Sequence, residues 1–150
     1  MKHVHRQHRH HRQQGAALVE FALVASMGLV VLLLAVFEFG RLLFIFNTAS
    51  EATRLGARLA VVCDANATLI TQRMSVLLPQ LNPATVDIHY EPPACAADPV
   101  SARASCQSVT VAVKPGTTVN TLIPLPNFSV DIPAFATTLT REAMDSSSCT

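Results

Sequence analysis

The feature that most constrains this chain is an uncharged apolar run, FALVASMGLVVLLLAVF, from Phe21 to Phe37. As an α-helix, these 17 residues span about 25 Å, at the short end of a membrane crossing. Apolar residues at 16–19 and 42–46 lengthen the segment. A buried core helix is the alternative, but a domain of 150 residues rarely surrounds so uniform a helix. The run therefore predicts a transmembrane helix over residues 16–46.

Charges on either side of the run predict its orientation. Four bases and no acid precede Gly15, and the first base after the run is Arg41. The positive-inside rule places the N-terminus in the cytoplasm and the C-terminal part across the membrane. A cleaved secretory signal is disfavoured, because residues 36–40 offer no small-x-small site. The net charge of +1 says little by itself, because it combines a basic head with a mildly acidic body. This asymmetry suggests a targeting segment more than a basic surface for nucleic acid.

The helix is expected to continue beyond the membrane. Residues 47–62 read NTASEATRLGARLAVV, which is rich in Ala and other helix formers. One helix is therefore predicted from Ala16 to Val62. Two pairs of opposite charge at i, i+3 spacing are expected on its surface: Glu38 with Arg41, and Glu51 with Arg54.

Proline separates this helical part from the rest of the chain, since all 9 prolines lie at or after Pro79. A second, short helix is predicted over residues 66–78, with Asn66 or Thr68 as its N-cap. Its apolar stripe is expected to be buried and consists of Ile70, Met74, Leu77, Leu78 and Leu81.

Three stretches after this short helix alternate as half-buried strands do: residues 86–90, 109–113 and 135–143. A turn is predicted at Pro115-Gly116, and residues 122–126 form an apolar loop too rich in proline for a central strand. That loop is interpreted as a lid on the core or as an assembly contact. The fold class is therefore α+β, with a three- to four-stranded antiparallel sheet after the long helix.

Four cysteines lie on the predicted exported side, where an even number favours two disulfides. Three pairings are open, and we favour Cys95 with Cys106, which leaves Cys63 with Cys149. A zinc site is the alternative, but it lacks Cys-x2-Cys spacing and has only His89 as a further ligand. No metal or cofactor is expected.

No group of residues indicates catalysis. His89 stands alone on an alternating strand, no Gly-rich phosphate loop is present, and no nucleophile sits in a recognisable context. The His-rich segment near the N-terminus fixes no coordination shell. The sequence therefore predicts that the protein is not an enzyme.

The N-terminal pattern resembles a known class. A basic leader, then Gly15 and four apolar residues, then Glu20-Phe21 opening an apolar helix resembles the type IV prepilin cleavage pattern. The continuation resembles the TadE-like family of tight-adherence pilus assembly proteins over residues 15–62. The matching stretches are GAALVEFALV from Gly15, FEFGRLLFI from Phe37, and the helix from Asn47 to Val61 with Gly56-Ala57-Arg58 inside it.

The resemblance implies that a prepilin peptidase cuts between Gly15 and Ala16. It also implies that Glu20, followed by Phe21, pairs with the new N-terminal ammonium of a neighbouring subunit during assembly. The expected regions are a leader (1–15), a transmembrane helix (16–46), its periplasmic extension (47–62) and an exported pilin-like domain (63–150).

The function implied is that of a minor pseudopilin, held in the bacterial inner membrane with its C-terminal domain in the periplasm. Its expected partners are the prepilin peptidase and other pilins or pseudopilins of the tight-adherence system. One alternative is an unprocessed single-pass protein with an exported binding module. The other is a membrane-anchored periplasmic hydrolase, which the missing catalytic set disfavours.

Overall fold

The computed structural model describes residues 4–122, 128–145 and 147. The chain divides into two compact units between Gly40 and Arg41. The described helices and strands are, in chain order, α1 (Val4–Val62), α2 (Ala67–Leu77), β1 (Val86–Glu91), α3 (Pro99–Ser105), β2 (Ser108–Val113), β3 (Thr118–Asn120), β4 (Ser129–Asp131) and β5 (Ala136–Thr140). The predicted α+β class, with a long N-terminal helix followed by a short helix and antiparallel strands, is confirmed.

The first unit consists of the N-terminal part of α1. The helix begins at Val4, not at the predicted Ala16, so the leader is helical from that residue on. No Pro or Gly interrupts residues 4–14, and extending an existing helix costs little free energy. Residues 15–37 are all exposed. A core helix would be buried, so the apolar run is not one within this protein.

In the second unit, α1 is buried through small side chains. Its buried face includes Ala49, Ala52, Ala57 and Ala60. The second unit begins at Arg41, inside the predicted transmembrane segment 16–46. The first residue of α1 in its hydrophobic core is Ile45, which is 4% exposed.

Gly56 is the closest point of this helix packing. A Cβ built at this position would lie 2.6 Å from Sδ of Met74 and 3.1 Å from Cγ1 of Val111. Met74 belongs to α2 and Val111 to β2. The missing side chain of Gly56 therefore allows α1 to approach both elements.

Helix α2 confirms the shorter predicted helix and selects its cap. The side chain of Asn66 accepts a hydrogen bond of 3.1 Å from the backbone N–H of Leu69. Most of the predicted stripe is buried, but Leu77 is 44% exposed. The prediction that Leu77 is buried was wrong. Leu77 is the last residue of α2, and its neighbour Leu78 is the residue buried in the core there. Leu78 has extended backbone geometry, so its side chain no longer follows the helical period.

The main sheet is antiparallel, with strand order β1-β2-β5. The central strand β2 buries Val109, Val111 and Val113 against α1 and α2 in one hydrophobic core. The third predicted strand, 135–143, is shorter in the structure and spans residues 136–140. Thr137 and Leu139 are the half-buried side of this strand, as its alternation predicts.

Strands β3 and β4 form a separate two-stranded sheet that the sequence did not predict. Strand β3 contributes the buried core residue Val119, and the buried core residue Ile132 directly follows β4. The predicted turn at Pro115-Gly116 is present, and Gly116 has a φ of +79°. Of the predicted apolar loop 122–126, only Leu122 lies within the described residues.

Helix α3 was also not predicted. Asp98 caps it, with Oδ1 2.9 Å from the backbone N–H of Ser101, and Pro99 occupies the first helical turn. Proline there is favourable, because the N–H that it lacks would have no helical partner. The cap lowers the pKa of the Asp98 carboxyl, chiefly through the hydrogen bond from the Ser101 backbone.

Candidate functional site

The predicted processing position lies on an exposed, regular part of α1. Gly15 and Ala16 are both exposed and helical. A Cβ at Gly15 would meet nothing within 4 Å, so packing inside the chain does not require glycine there. A helical glycine costs about 1 kcal/mol relative to alanine. A protease that cleaves after Gly15 would therefore find an accessible position in a locally weakened turn.

Glu20 lies four residues after Ala16, so the two residues occupy the same helix face one turn apart. The Glu20 side chain is exposed, and its sequence neighbours are Val19 and Phe21. No Lys or Arg occurs between residues 15 and 40. A carboxylate placed in an apolar environment needs a cationic partner. The apolar run itself has no Lys or Arg side chain to supply one.

Of the two predicted charge pairs on α1, the structure brings the second together. Nη1 of Arg54 lies 2.9 Å from Oε1 of Glu51, and both side chains are exposed. A pair of this kind contributes only a few tenths of a kcal/mol. Nη1 of Arg41 donates a hydrogen bond of 3.1 Å to the carbonyl of Asn120. Glu38 is buried, and its pairing with Arg41 stays a prediction.

The structure joins Cys95 and Cys106 in a disulfide, with their Cα atoms 5.1 Å apart. The bridge closes the segment that contains α3. Both cysteines are buried in a small cluster with Ala102 and Met144. Cys63 is also buried, but Cys149 lies outside the described residues. The Cys63–Cys149 bond therefore stays a prediction.

Arg103 connects three parts of the second unit. Its Nη2 lies 2.8 Å from Oδ1 of Asp64, just after α1, and 3.2 Å from Oδ1 of Asp145. Its Nε donates a hydrogen bond of 3.0 Å to the carbonyl of Met144. Arg141 Nη1 in turn donates to the carbonyl of Arg103. The hydrogen bond to Asp64 raises the pKa of the Arg103 guanidinium.

Residues after β5 also satisfy the C-terminal end of α1. The backbone N–H groups of Glu142 and Met144 donate to the Val61 carbonyl at 3.1 and 3.2 Å. The N–H of Asp145 donates to the Val62 carbonyl at 2.7 Å. The last carbonyls of a helix have no partner within the helix. The segment 142–145 therefore supplies donors that α1 cannot supply itself.

Among the described titratable groups, Tyr90 has the pKa that is shifted most strongly from its ordinary value. Its hydroxyl is buried, and no hydrogen-bond partner for it exists among the residues that the structure describes. Burial raises the pKa of Tyr90 to about 12. The neighbouring His89 is exposed. Across the described ranges, no group of three or more His, Cys, Asp or Glu side chains could hold a metal ion.

Sequence reasoning missed the Arg103 contacts because they join positions about 40 residues apart, and no local pattern encodes such a pairing. A signal for α3 was available: Asp98 followed by Pro99 is a capping residue with proline at the first helical position. Gly56 could be recognised as part of the Gly-Ala-Arg segment, but its role in packing became visible only from its neighbours.

Comparison with known proteins finds a family match in the N-terminal part of the chain. The family model of TadE-like protein matches residues 15–58, which confirms the predicted resemblance. The match begins at the predicted processing position and ends two residues after Gly56. Neither a curated protein nor a solved structure matches the chain. The long exposed apolar helix is a candidate membrane span, consistent with membrane anchoring.

Proposed function

We propose that this chain, which the TadE-like family model matches over residues 15–58, is a minor pseudopilin of a tight-adherence pilus. A prepilin peptidase cuts it between Gly15 and Ala16, and the mature chain assembles with other pilins or pseudopilins. One observation carries the proposal: the family match begins at Gly15, directly before an apolar segment of α1 that carries a single early acid, Glu20, and whose side chains are exposed through residue 37.

The proposed orientation follows from charge. Four bases precede Gly15, and they hold the leader in the cytoplasm. The apolar run crosses the bacterial inner membrane, and the second unit lies in the periplasm, where the Cys95–Cys106 disulfide is stable. In a strain without the prepilin peptidase, protease added outside spheroplasts should digest the second unit and spare the leader. Digestion of the leader alone would contradict this orientation.

The proposed assembly step depends on Glu20. Cleavage would create a free ammonium on Ala16, one helical turn from Glu20 on the same face. When apolar helices pack side by side, the Glu20 carboxylate of one chain neutralises the ammonium of its neighbour. Leaving either charge buried without its partner typically costs about 3–5 kcal/mol. Assembly therefore selects processed chains, because only cleavage supplies the ammonium.

Intact mass measurement of the membrane-extracted protein tests processing. We expect a mass that corresponds to a chain starting at Ala16, and the full-length mass in a strain without the prepilin peptidase. A mature chain starting at Met1 in the wild-type strain would favour the unprocessed single-pass protein instead. A start beyond Val36 would indicate an ordinary secretory signal.

The variant Glu20→Ala tests assembly apart from processing. The leader charges and the apolar run are unchanged, so we expect normal insertion and normal cleavage. A deficit of about 3–5 kcal/mol lowers an association equilibrium by roughly two to four decades. Pilus-dependent adherence should therefore fall strongly at a normal amount of membrane-bound protein.

Glu51→Ala is the matched control, because Glu51 is an exposed acid on the same helix whose only described pairing is with Arg54 at the surface. We expect this control to assemble normally. Normal adherence of the Glu20→Ala variant at normal protein levels would contradict the assembly mechanism. It would leave Glu20 as a helix acid favoured only by the helix dipole.

A further inference from the structure

The second unit carries exposed apolar side chains at the end where the chain enters from the apolar run. We call this set the apolar collar, and it consists of Leu43, Phe44, Leu122 and Phe128. Their exposed fractions are 44%, 68%, 64% and 62%. Side chains of this size in contact with water are unfavourable, and a grouped set of them typically marks a binding surface.

Two sets of contacts within the second unit bring the collar together. Arg41, the first residue of the unit, donates from Nη1 to the carbonyl of Asn120 at the end of β3. One residue further along, the backbone N–H and Oγ1 of Thr121 donate to the Phe128 carbonyl at 3.2 and 3.0 Å. The β3–β4 pair is therefore held beside Arg41 at the end that carries Leu122 and Phe128.

The helical members of the collar, Leu43 and Phe44, lie near Arg41 along the axis of α1. Leu43 and Phe44 follow Arg41 by two and three residues, which is an axial distance of about 3–5 Å. Phe44 is exposed while the next residue, Ile45, is buried, so Phe44 faces away from the core. Leu43 and Phe44 therefore lie close along α1 to Arg41, whose side chain contacts the end of β3.

We propose that the apolar collar is embedded in the interfacial layer of the lipid bilayer. Residue 41 is covalently joined to the apolar run, whose residues 15–37 are all exposed. The end of the unit that carries the collar is thus the end that meets the membrane. Phe and Leu side chains insert favourably at the boundary of headgroups and acyl chains.

A lipid surface fits better than a second copy of the chain or another pilus component. The collar follows directly on the segment that is proposed to cross the bilayer, so lipid reaches it without any further association. The proposal rests on the membrane anchoring in the proposed function. It adds that the exported unit contacts lipid through the collar.

The chain contains no Trp, so one introduced Trp reports a single position. We would place full-length Phe128→Trp in vesicles of phosphatidylcholine and phosphatidylglycerol, with bromine on the acyl chains near the headgroups. The matched control is Val76→Trp, since Val76 is 78% exposed in the same unit but lies on α2 and outside the collar. Leu34→Trp, inside the apolar run, reports anchoring itself.

We expect brominated lipid to quench the tryptophan of the Phe128→Trp variant, which should also emit at shorter wavelength than the tryptophan of Val76→Trp. The Val76→Trp control should stay unquenched by lipid. Quenching of Leu34→Trp without quenching of Phe128→Trp would overturn the collar proposal and leave membrane anchoring intact. Absence of quenching in Leu34→Trp would overturn both.

A protein partner on the collar would give a different result. The tryptophan of Phe128→Trp would then be shielded from aqueous acrylamide but unquenched by brominated lipid. That outcome would assign the collar to a protein interface and would also overturn the proposal.

Discussion

The two parts of α1 are both apolar, but they are apolar in different ways. Residues 15–37 carry mainly Leu, Val and Phe with Ala, and all of them are exposed. The buried face of the second part is formed mainly by alanines, with Gly56 at the closest contact. Large side chains supply the apolar surface that lipid requires, whereas small ones let a helix approach a sheet closely. Hydrophobicity alone does not separate these roles, but side-chain size does.

Two glycines, one in each part of α1, show this difference at single positions. A Cβ at Gly28 would meet nothing within 4 Å, whereas a Cβ at Gly56 would overlap Met74. Substituting both positions with the same residue therefore separates a surface open to lipid from a packed interface. We expect Gly56→Leu to lower the free energy of unfolding of the second unit by about 3 kcal/mol, because the added side chain overpacks the contacts with Met74 in α2 and Val111 in β2.

The matched variant Gly28→Leu should leave the second unit unchanged. Unfolding of the full chain in detergent, followed by hydrogen exchange of the β2 amides, measures both. Equal stability of the two variants would mean that α1 does not pack through Gly56, and the contrast between the two helix parts would fail.

The disulfide is the next test, since it belongs to the second unit alone. Cys95 and Cys106 are 11 positions apart, and closing a loop of that length stabilises a fold by about 3 kcal/mol in the chain-entropy description. We expect the double variant Cys95→Ala/Cys106→Ala to lose about that much in denaturant unfolding. Its membrane content should stay normal. A loss of membrane insertion would show that the first unit depends on the second.

A smaller effect is expected at the end of α2, where two neighbouring leucines differ in burial. Leu78 is 3% exposed and Leu77 is 44% exposed. Leu78→Ala should lower the free energy of unfolding by about 2–3 kcal/mol, through lost burial and a cavity. Leu77→Ala should cost less than about 1 kcal/mol. Equal losses of stability in the two variants would mean that Leu77 is buried as well as Leu78, as the helical stripe in the sequence predicts.

The smallest perturbation uses pH, with no substitution. The chain has one Tyr, so tyrosinate absorbance reports Tyr90 alone. Burial raises the pKa of Tyr90 to about 12, whereas an unfolded chain titrates near about 10. The folded state then holds its proton to higher pH. The stability linked to Tyr90 is complete below about pH 10 and is lost as the pH rises toward about 12. A titration of the folded protein that matches the unfolded chain would contradict burial.

The sequence was most informative where structure is local. The long helix, the Asn66 cap and strands β1 and β2 follow from period and capping chemistry. Composition revealed the apolar run, and motif spacing located Gly15 and Glu20. These features depend on residues only a few positions apart, which is the range over which a single sequence specifies structure.

Contacts between residues far apart in the sequence were not predicted. The pairing of β3 with β4 joins two three-residue strands that are too short to show alternation. The bonds from Arg103 to Asp64 and Asp145 join parts of the chain that only the fold brings together. The early start of the helix, at Val4, was missed because the leader was defined by its charges. Charge alone does not end a helix.

The donors from residues 142–145 to the end of α1 impose an order in time. In the proposed orientation, the end of α1 is exported before this segment. Until the segment arrives, the carbonyls of Val61 and Val62 can bond only to water, and the helix end is free to unwind. Capping of α1 is therefore coupled to export of this segment, so that in this orientation a chain stalled before residues 142–145 leaves the end of α1 open to proteolysis.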